Sequence, residues 1–136
     1  VLQLVAASRY SRGVSLPPGD PSLEDLAFAS WRGESGATVR LACSWHAQLG
    51  ADAVIGLRVS GTRGGAEWRN VGGSFYDFEL RLADGARSTV LASGPDEWGA
   101  RALRDWIARV GAGDGFDPAA HDYVAGAALV DAVYAA

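Results

Sequence analysis

The chain has 136 residues, 49% of them hydrophobic, which fits one domain of ordinary size with enough apolar material for a core. A formal net charge of −4 argues against a nucleic-acid partner, whose phosphates need a basic surface, and gives no attraction to an anionic membrane. All 12 cationic residues are arginine, so lysine chemistry (Schiff base, P-loop) is excluded.

The sequence contains no methionine, so the chain is expected to be a fragment or to have lost its true start. The abundance of Ala, Gly, Arg and Asp suggests a GC-rich genome. Cys43 stands alone among apolar neighbours and is expected to be a small buried hydrophobe, a usage compatible with the cytoplasm. No apolar run reaches the length of a membrane span, and Val1 to Ala7 lacks the basic flank of a signal peptide.

Val1 to Tyr10 reads as an apolar strand. Ser11 to Ser22 holds Gly13, Pro17, Pro18, Gly19 and Pro21 and is expected to be a loop. Leu23 to Trp31 returns to extended character, with Leu26 and Phe28 on one face. After a turn at Gly33 to Gly36, the residues Val39, Leu41, Cys43 and Trp45 alternate with Thr38, Arg40, Ala42, Ser44 and His46. A period of two predicts a strand with one apolar and one polar face.

Ala53 to Ser60 repeats the alternation, with Ile55, Leu57 and Val59 on one side and Arg58 and Ser60 on the other. Gly61 to Gly65 is a hairpin turn, Ala66 to Val71 a strand, and Gly72-Gly73 a further turn. Phe75 to Leu82 is expected to turn Tyr76, Phe78, Leu80 and Leu82 inward. A turn at Ala83 to Ala86 leads to a strand over Arg87 to Ala92. The period then changes. Ser93 to Asp96 is expected to open a helix whose stripe is Trp98, Ala102, Leu103, Trp106, Ile107 and Val110. Asp117-Pro118 starts a second helix with Val124, Ala127, Ala128, Val130, Val133 and Tyr134 on its apolar side.

The pattern is α+β: an open, predominantly antiparallel sheet with both C-terminal helices burying their stripes on its apolar face. That leaves a polar face, carrying Thr38, Arg40, Ser44, His46, Arg58 and Ser60, for water, a ligand or a second subunit. Trp45, Trp98 and Trp106 are expected in the core, whereas Trp31 and Trp68 are undetermined.

Signatures of chemistry are sparse. No G-x-G-x-x-G sits at a strand–helix junction, and GTRGG lies between strands, where no helix N-terminus receives a phosphate. One Cys and two distant His fall short of a zinc set. Ser44 and His46 share a strand face without an evident third member, and a histidine at position 46 could polarise a substrate oxygen. Asp77 and Glu79 share a strand face beside Arg81, the pattern of a charge ladder more than of an acid–base pair. His121-Asp122 reads as a helix-start pair.

Four stretches carry a family resemblance: GATVRLACSWHAQLG (36–50), VIGLRVSGTRGGAEWRN (54–70), GGSFYDFELRL (72–82) and DYVAGAALVDAVYAA (122–136). In this order they resemble the C-terminal domain of the glucose–fructose oxidoreductase / inositol dehydrogenase / MocA family. The resemblance implies a single domain over residues 1–136, preceded in the whole protein by a Rossmann domain that binds NAD or NADP. It also implies a homodimer through the open sheet face and a sugar- or polyol-like substrate. The family's catalytic lysine has no counterpart, so no catalytic, cofactor or metal residue carries over. Arg40, Ser44, His46 and Arg58 are the substrate or interface candidates, on face geometry alone. The competing expectations are a stand-alone dimerisation or small-molecule-binding module, and a hydrolase built on Ser44, His46 and a carboxylate.

Overall fold

The computed structural model describes residues 1–96 and 99–136. The fold is α+β, with two four-stranded antiparallel sheets and two helices toward the C-terminus. The chain divides into two compact units, one formed by Val1–Ala47 and Phe116–Ala136, the other by Gln48–Gly115.

The first unit holds β1 (Leu2–Ser11), β2 (Val14–Leu16), β3 (Leu26–Gly33) and β4 (Thr38–Ser44), in the order β2-β1-β3-β4. β2 lies inside the segment expected to be a loop. Arg12 and Gly13 both take positive φ, 51° and 78°, the pattern of a two-residue hairpin turn, and this returns Val14 to Leu16 alongside Arg9 to Ser11. Pro17 and Pro18 then end the strand, since proline donates nothing to a ladder.

A register shift in β1 between Leu4 and Ala6 decides which side chains point inward. Leu2 and Leu4 pair with Gly33 and Trp31, whereas beyond the shift Ala7 and Arg9 pair with Ala29 and Ala27. Even-numbered residues therefore share the Trp31 face before Val5 and odd-numbered ones after it. Ala29 and Trp31, with Val133 of the last helix, make the core of this unit, and Leu2, Leu4, Ala7 and Leu129 pack against it.

That last helix, α2 (His121–Ala135 in chain order, the second), follows a short 3-10 turn at Pro118–Ala120. Asp117 caps the turn as expected, its carboxylate accepting from the Ala119 N–H at 3.0 Å. Leu129 and Val133, four residues apart, face the sheet, while Val124 and Val130 are exposed. α2 is apolar nearly all round, so its sequence marks no single inward stripe.

The second unit holds β5 (Gly56–Gly61), β6 (Gly64–Asn70), β7 (Asp77–Asp84) and β8 (Arg87–Pro95), a meander in chain order. Instead of continuing the first sheet, β5 starts a new one: residues 45 to 55 are not strand, and Gly50 among them takes φ 69°. Gly65 is obligatory at the first hairpin, because a Cβ there would meet the Val59 carbonyl oxygen at 2.7 Å. Asn70 organises the entry to the sheet: its amide donates to the Ala53 and Ser74 carbonyls at 2.9 and 2.8 Å and its carbonyl accepts from the Ile55 N–H at 3.0 Å.

β8 runs on to Pro95, past the expected helix start, because Gly94 and Pro95 pair with Phe78 and Asp77. The first helix, α1, spans Gly99–Gly111. Its stripe does not bury as expected: Leu103, Trp106, Ile107 and Val110 are all exposed, Trp106 by 62%. Trp98, expected on the same stripe, lies outside the described residues. Among the described residues no helix is long and apolar enough to cross a membrane.

Candidate functional site

The residues of the expected polar face are divided between two sheets. Arg40 and Ser44 lie on β4 in the first sheet, Arg58 lies on β5 in the second, and His46 lies beyond the end of β4. The break after Ser44 is the reason, since it ends the first sheet before β5 begins.

Ser44 is a turn-former. Its hydroxyl donates to the Asp25 carbonyl at 2.9 Å, and its oxygen accepts the backbone N–H groups of His46 and Ala47 at 3.2 and 3.1 Å. The proton that a serine nucleophile would surrender to a base is thus held by a main-chain carbonyl, and the contact with His46 is to its backbone. The turn carries Trp45 and His46 out to the end of the sheet.

There they meet Ser11, Arg12, Leu23, Glu24 and Asp25 around an open cleft of about 710 Å3. The Arg12 N–H donates to an Asp25 carboxylate oxygen at 2.7 Å, tying the β1–β2 turn to the residue that precedes β3. Trp45 is 77% exposed, contrary to its expected place in the core, because it follows the last residue of β4. Cys43 is exposed as well: α2 packs over β1 and leaves β4 uncovered, so Val39, Leu41 and Cys43 on the same face stay open to solvent.

Beside this cleft lies a polar cluster that periodicity conceals. Arg9 is 2% exposed. Its guanidinium donates to the Asp20 carbonyl at 3.2 Å, sits 4.7 Å from the ring centroid of Tyr134, and lies 3.9 Å from Glu24. The Tyr134 hydroxyl donates to Glu24 at 2.5 Å. That hydrogen bond holds the Glu24 carboxyl below the usual range, with the Arg9 charge adding to it, and pushes the Tyr134 phenol up. The sequence signal was available in one form only, an arginine within an otherwise uncharged strand.

On the second sheet the face carrying Arg58 is a ladder of ion pairs. Arg58 pairs with Glu67 across β5 and β6, Arg69 donates to Glu79 at 3.0 Å, and Arg81 donates to the same carboxylate at 2.7 Å. Hydrogen bonds from Arg81 and then Arg69 keep the Glu79 carboxyl below its usual range. A carboxylate held ionised by two arginines is a poor general acid, so the ladder reading of Asp77 and Glu79 describes Glu79. Arg58 is one rung of it.

The opposite face of this sheet is apolar. Trp68 stacks on Phe78 with centroids 4.5 Å apart, and of the two only Phe78 is buried. Leu57, Val59 and Leu82 are exposed on the same side, with Leu57 at 62%. His121, in the first turn of α2, meets the ring of Phe116 edge-on. Among the described residues no group of three or more His, Cys, Asp or Glu side chains is placed to hold a metal ion. Comparison with known proteins finds no matching family model, no matching curated protein and no matching solved structure.

Proposed function

We propose that this chain is an association module that pairs with a second copy through the apolar face of its second sheet. The exposure of Leu57, Val59, Trp68 and Leu82 on one sheet face carries this reading. The ion-pair ladder occupies the reverse side, with Arg58, Arg69 and Arg81 set against Glu67 and Glu79. The apolar side has no charge near its middle, so two copies meet there without repulsion.

Four strands at about 4.8 Å spacing and six residues at about 3.3 Å rise give a footprint on the order of 400 Å2. One partner of a standard interface buries roughly 800 Å2. The exposed apolar stripe of α1, in the same unit, is further area of the same kind.

Sedimentation velocity tests this directly. The wild type should run as a dimer, and Leu57→Glu or Val59→Arg should run as a monomer with an unchanged circular dichroism spectrum. A monomeric wild type, or a dimer indifferent to both substitutions, overturns the pairing.

The wider setting we propose rests on the resemblance of residues 36–50, 54–70, 72–82 and 122–136. In it the module is the substrate-side and oligomerisation part of a cytoplasmic NAD(P)-dependent oxidoreductase acting on a sugar- or polyol-like substrate. The cofactor and the catalytic lysine then belong to a Rossmann domain encoded upstream of Val1. Sequencing the surrounding reading frame decides it: a glycine fingerprint after a first strand is expected, and a frame without one leaves the stand-alone module.

A further inference from the structure

The outer face of the first sheet, turned away from α2, carries an unusual charge distribution. None of its four strands contains an aspartate or glutamate. Two arginines nevertheless stand on it. Ser30 pairs with Arg40 and Arg32 pairs with Thr38, which places Arg32 and Arg40 diagonally on neighbouring strands of one face. Like charges in that relation repel, and among the described residues neither guanidinium has an ion-pair or hydrogen-bond partner. On the second sheet every strand-borne arginine of the corresponding ladder has its carboxylate. The chain as a whole carries a net charge of −4, so this local excess of positive charge runs against its composition.

Next to Arg40 the same face is hollow. Ala6, Ser8, Ser30 and Ala42 are all small, and with Phe28 and Arg40 they line a shallow depression of about 400 Å3. The volume is at the lower end of that of small-molecule sites. Phe28 forms one wall and is steadied by an edge-on contact with Tyr10, the rings 6.4 Å apart. The register puts Ala6, Ser30 and Arg40 in one cross-strand row and Ser8, Phe28 and Ala42 in the next. A flat body can therefore lie on the alanine and serine floor against Phe28 while its anionic end reaches the guanidinium of Arg40.

We infer that this depression binds a small carboxylate with a flat apolar body, its carboxylate held by Arg40 with Arg32 adding to the field. A planar guanidinium accepts a carboxylate through two parallel N–H···O bonds, and the sheet face supplies no competing acid. The site uses only the first sheet and is independent of the pairing proposed for the second.

The test is a titration of the full chain with 1-naphthoate, followed by methyl NMR of Ala6 and Ala42. Saturable shifts at both alanines are expected, and the neutral analogue 1-naphthamide should bind at least about tenfold more weakly, the loss of one charge-assisted contact. Arg40→Gln should weaken naphthoate binding by a similar factor, and Arg32→Gln by less. Arg58→Gln, on the other sheet, should leave it unchanged. Equal binding of acid and amide, an unaltered affinity in Arg40→Gln, or the absence of saturable shifts would each overturn the inference. An unchanged amide fingerprint in Arg40→Gln shows that a loss of binding is not a loss of fold.

Discussion

The Arg9 guanidinium lies 4.7 Å from the centroid of the Tyr134 ring, joining the first strand to the last turn of the last helix. The contact closes the first unit at its two chain ends, and the Gly19 N–H, donating to the Tyr134 carbonyl at 3.1 Å, adds the β2–β3 loop to the same knot. Arg9 is the buried charge of this unit, and its partner is Glu24. Removing Arg9 leaves the Asp20 carbonyl and the Glu24 carboxylate without their cation, and a hydrogen bond to a charged group is worth about 1.5–3 kcal/mol. Arg9→Ala should therefore lower the stability of this unit by about 3 kcal/mol. Tyr134→Phe keeps the ring over the guanidinium and loses only the hydroxyl, for about 1 kcal/mol. Urea denaturation of both variants checks the order, and a Tyr134→Phe loss as large as that of Arg9→Ala would refute it.

The same cluster makes stability depend on pH at both ends. Glu24 has a folded pKa below its ordinary value of 4.5. The unfolded chain therefore binds its proton first as pH falls, and the stabilisation is full above about pH 4.5 and lost as pH drops through the lower folded value. Glu79 acts in the same direction. Tyr134 has a folded pKa above 10.0, so its contribution is full below pH 10.0 and lost as pH rises through the folded value. Thermal melts across pH should fall at the acid end less steeply in Glu24→Gln than in the wild type. An identical acid limb would show that Glu24 does not set the acid dependence.

The two tryptophans that bracket β4 offer a sharp contrast. Trp31 is 6% exposed and packs with Ala29 and Val133, although its indole N–H is buried without a hydrogen-bond acceptor among the described residues. Trp45 stands in the solvent. Trp31→Ala should cost about 3–5 kcal/mol, the range for emptying an aromatic core site, and Trp45→Ala no more than about 0.5 kcal/mol, as for surface changes in general. Equal effects on the unfolding midpoint would mean that the core is misplaced.

That contrast also shows where periodicity is a sound guide and where it fails. The alternation from Thr38 to Ser44 correctly reports a strand, yet alternation identifies an apolar face without saying what covers it. Cys43 and Leu41 are on the apolar face and exposed, because α2 lies over β1. The one-residue shift at Val5 hides Arg9, since it moves the inward positions of β1 from even to odd numbers. Arg40 and Arg58 read alike in sequence, each a cation between apolar residues. Only the end of the sheet after Ser44 separates them, and that end depends on hydrogen bonds that the Ser44 hydroxyl and the Trp45 N–H donate to the carbonyl of Asp25, far away in the chain. The charge ladder, by contrast, was legible, because cross-strand partners in a meander follow from turn positions alone.

Ser44 gives the last and most discriminating case, because two roles predict opposite results for one substitution. Its hydroxyl bonds the Asp25 carbonyl and receives two backbone N–H groups, so Ser44→Ala removes the device that turns the chain after β4. A turn-forming hydroxyl is worth about 1 kcal/mol, and Ser44→Thr, which keeps the oxygen, should recover most of it. Hydrogen exchange at the His46 and Ala47 amides should accelerate in Ser44→Ala and return toward wild type in Ser44→Thr. A nucleophile would behave otherwise: a serine-directed fluorophosphonate probe would label the wild-type chain and fail on Ser44→Ala. Labelling at Ser44, with amide exchange unchanged in the alanine variant, would overturn the turn-forming role and restore the hydrolase alternative.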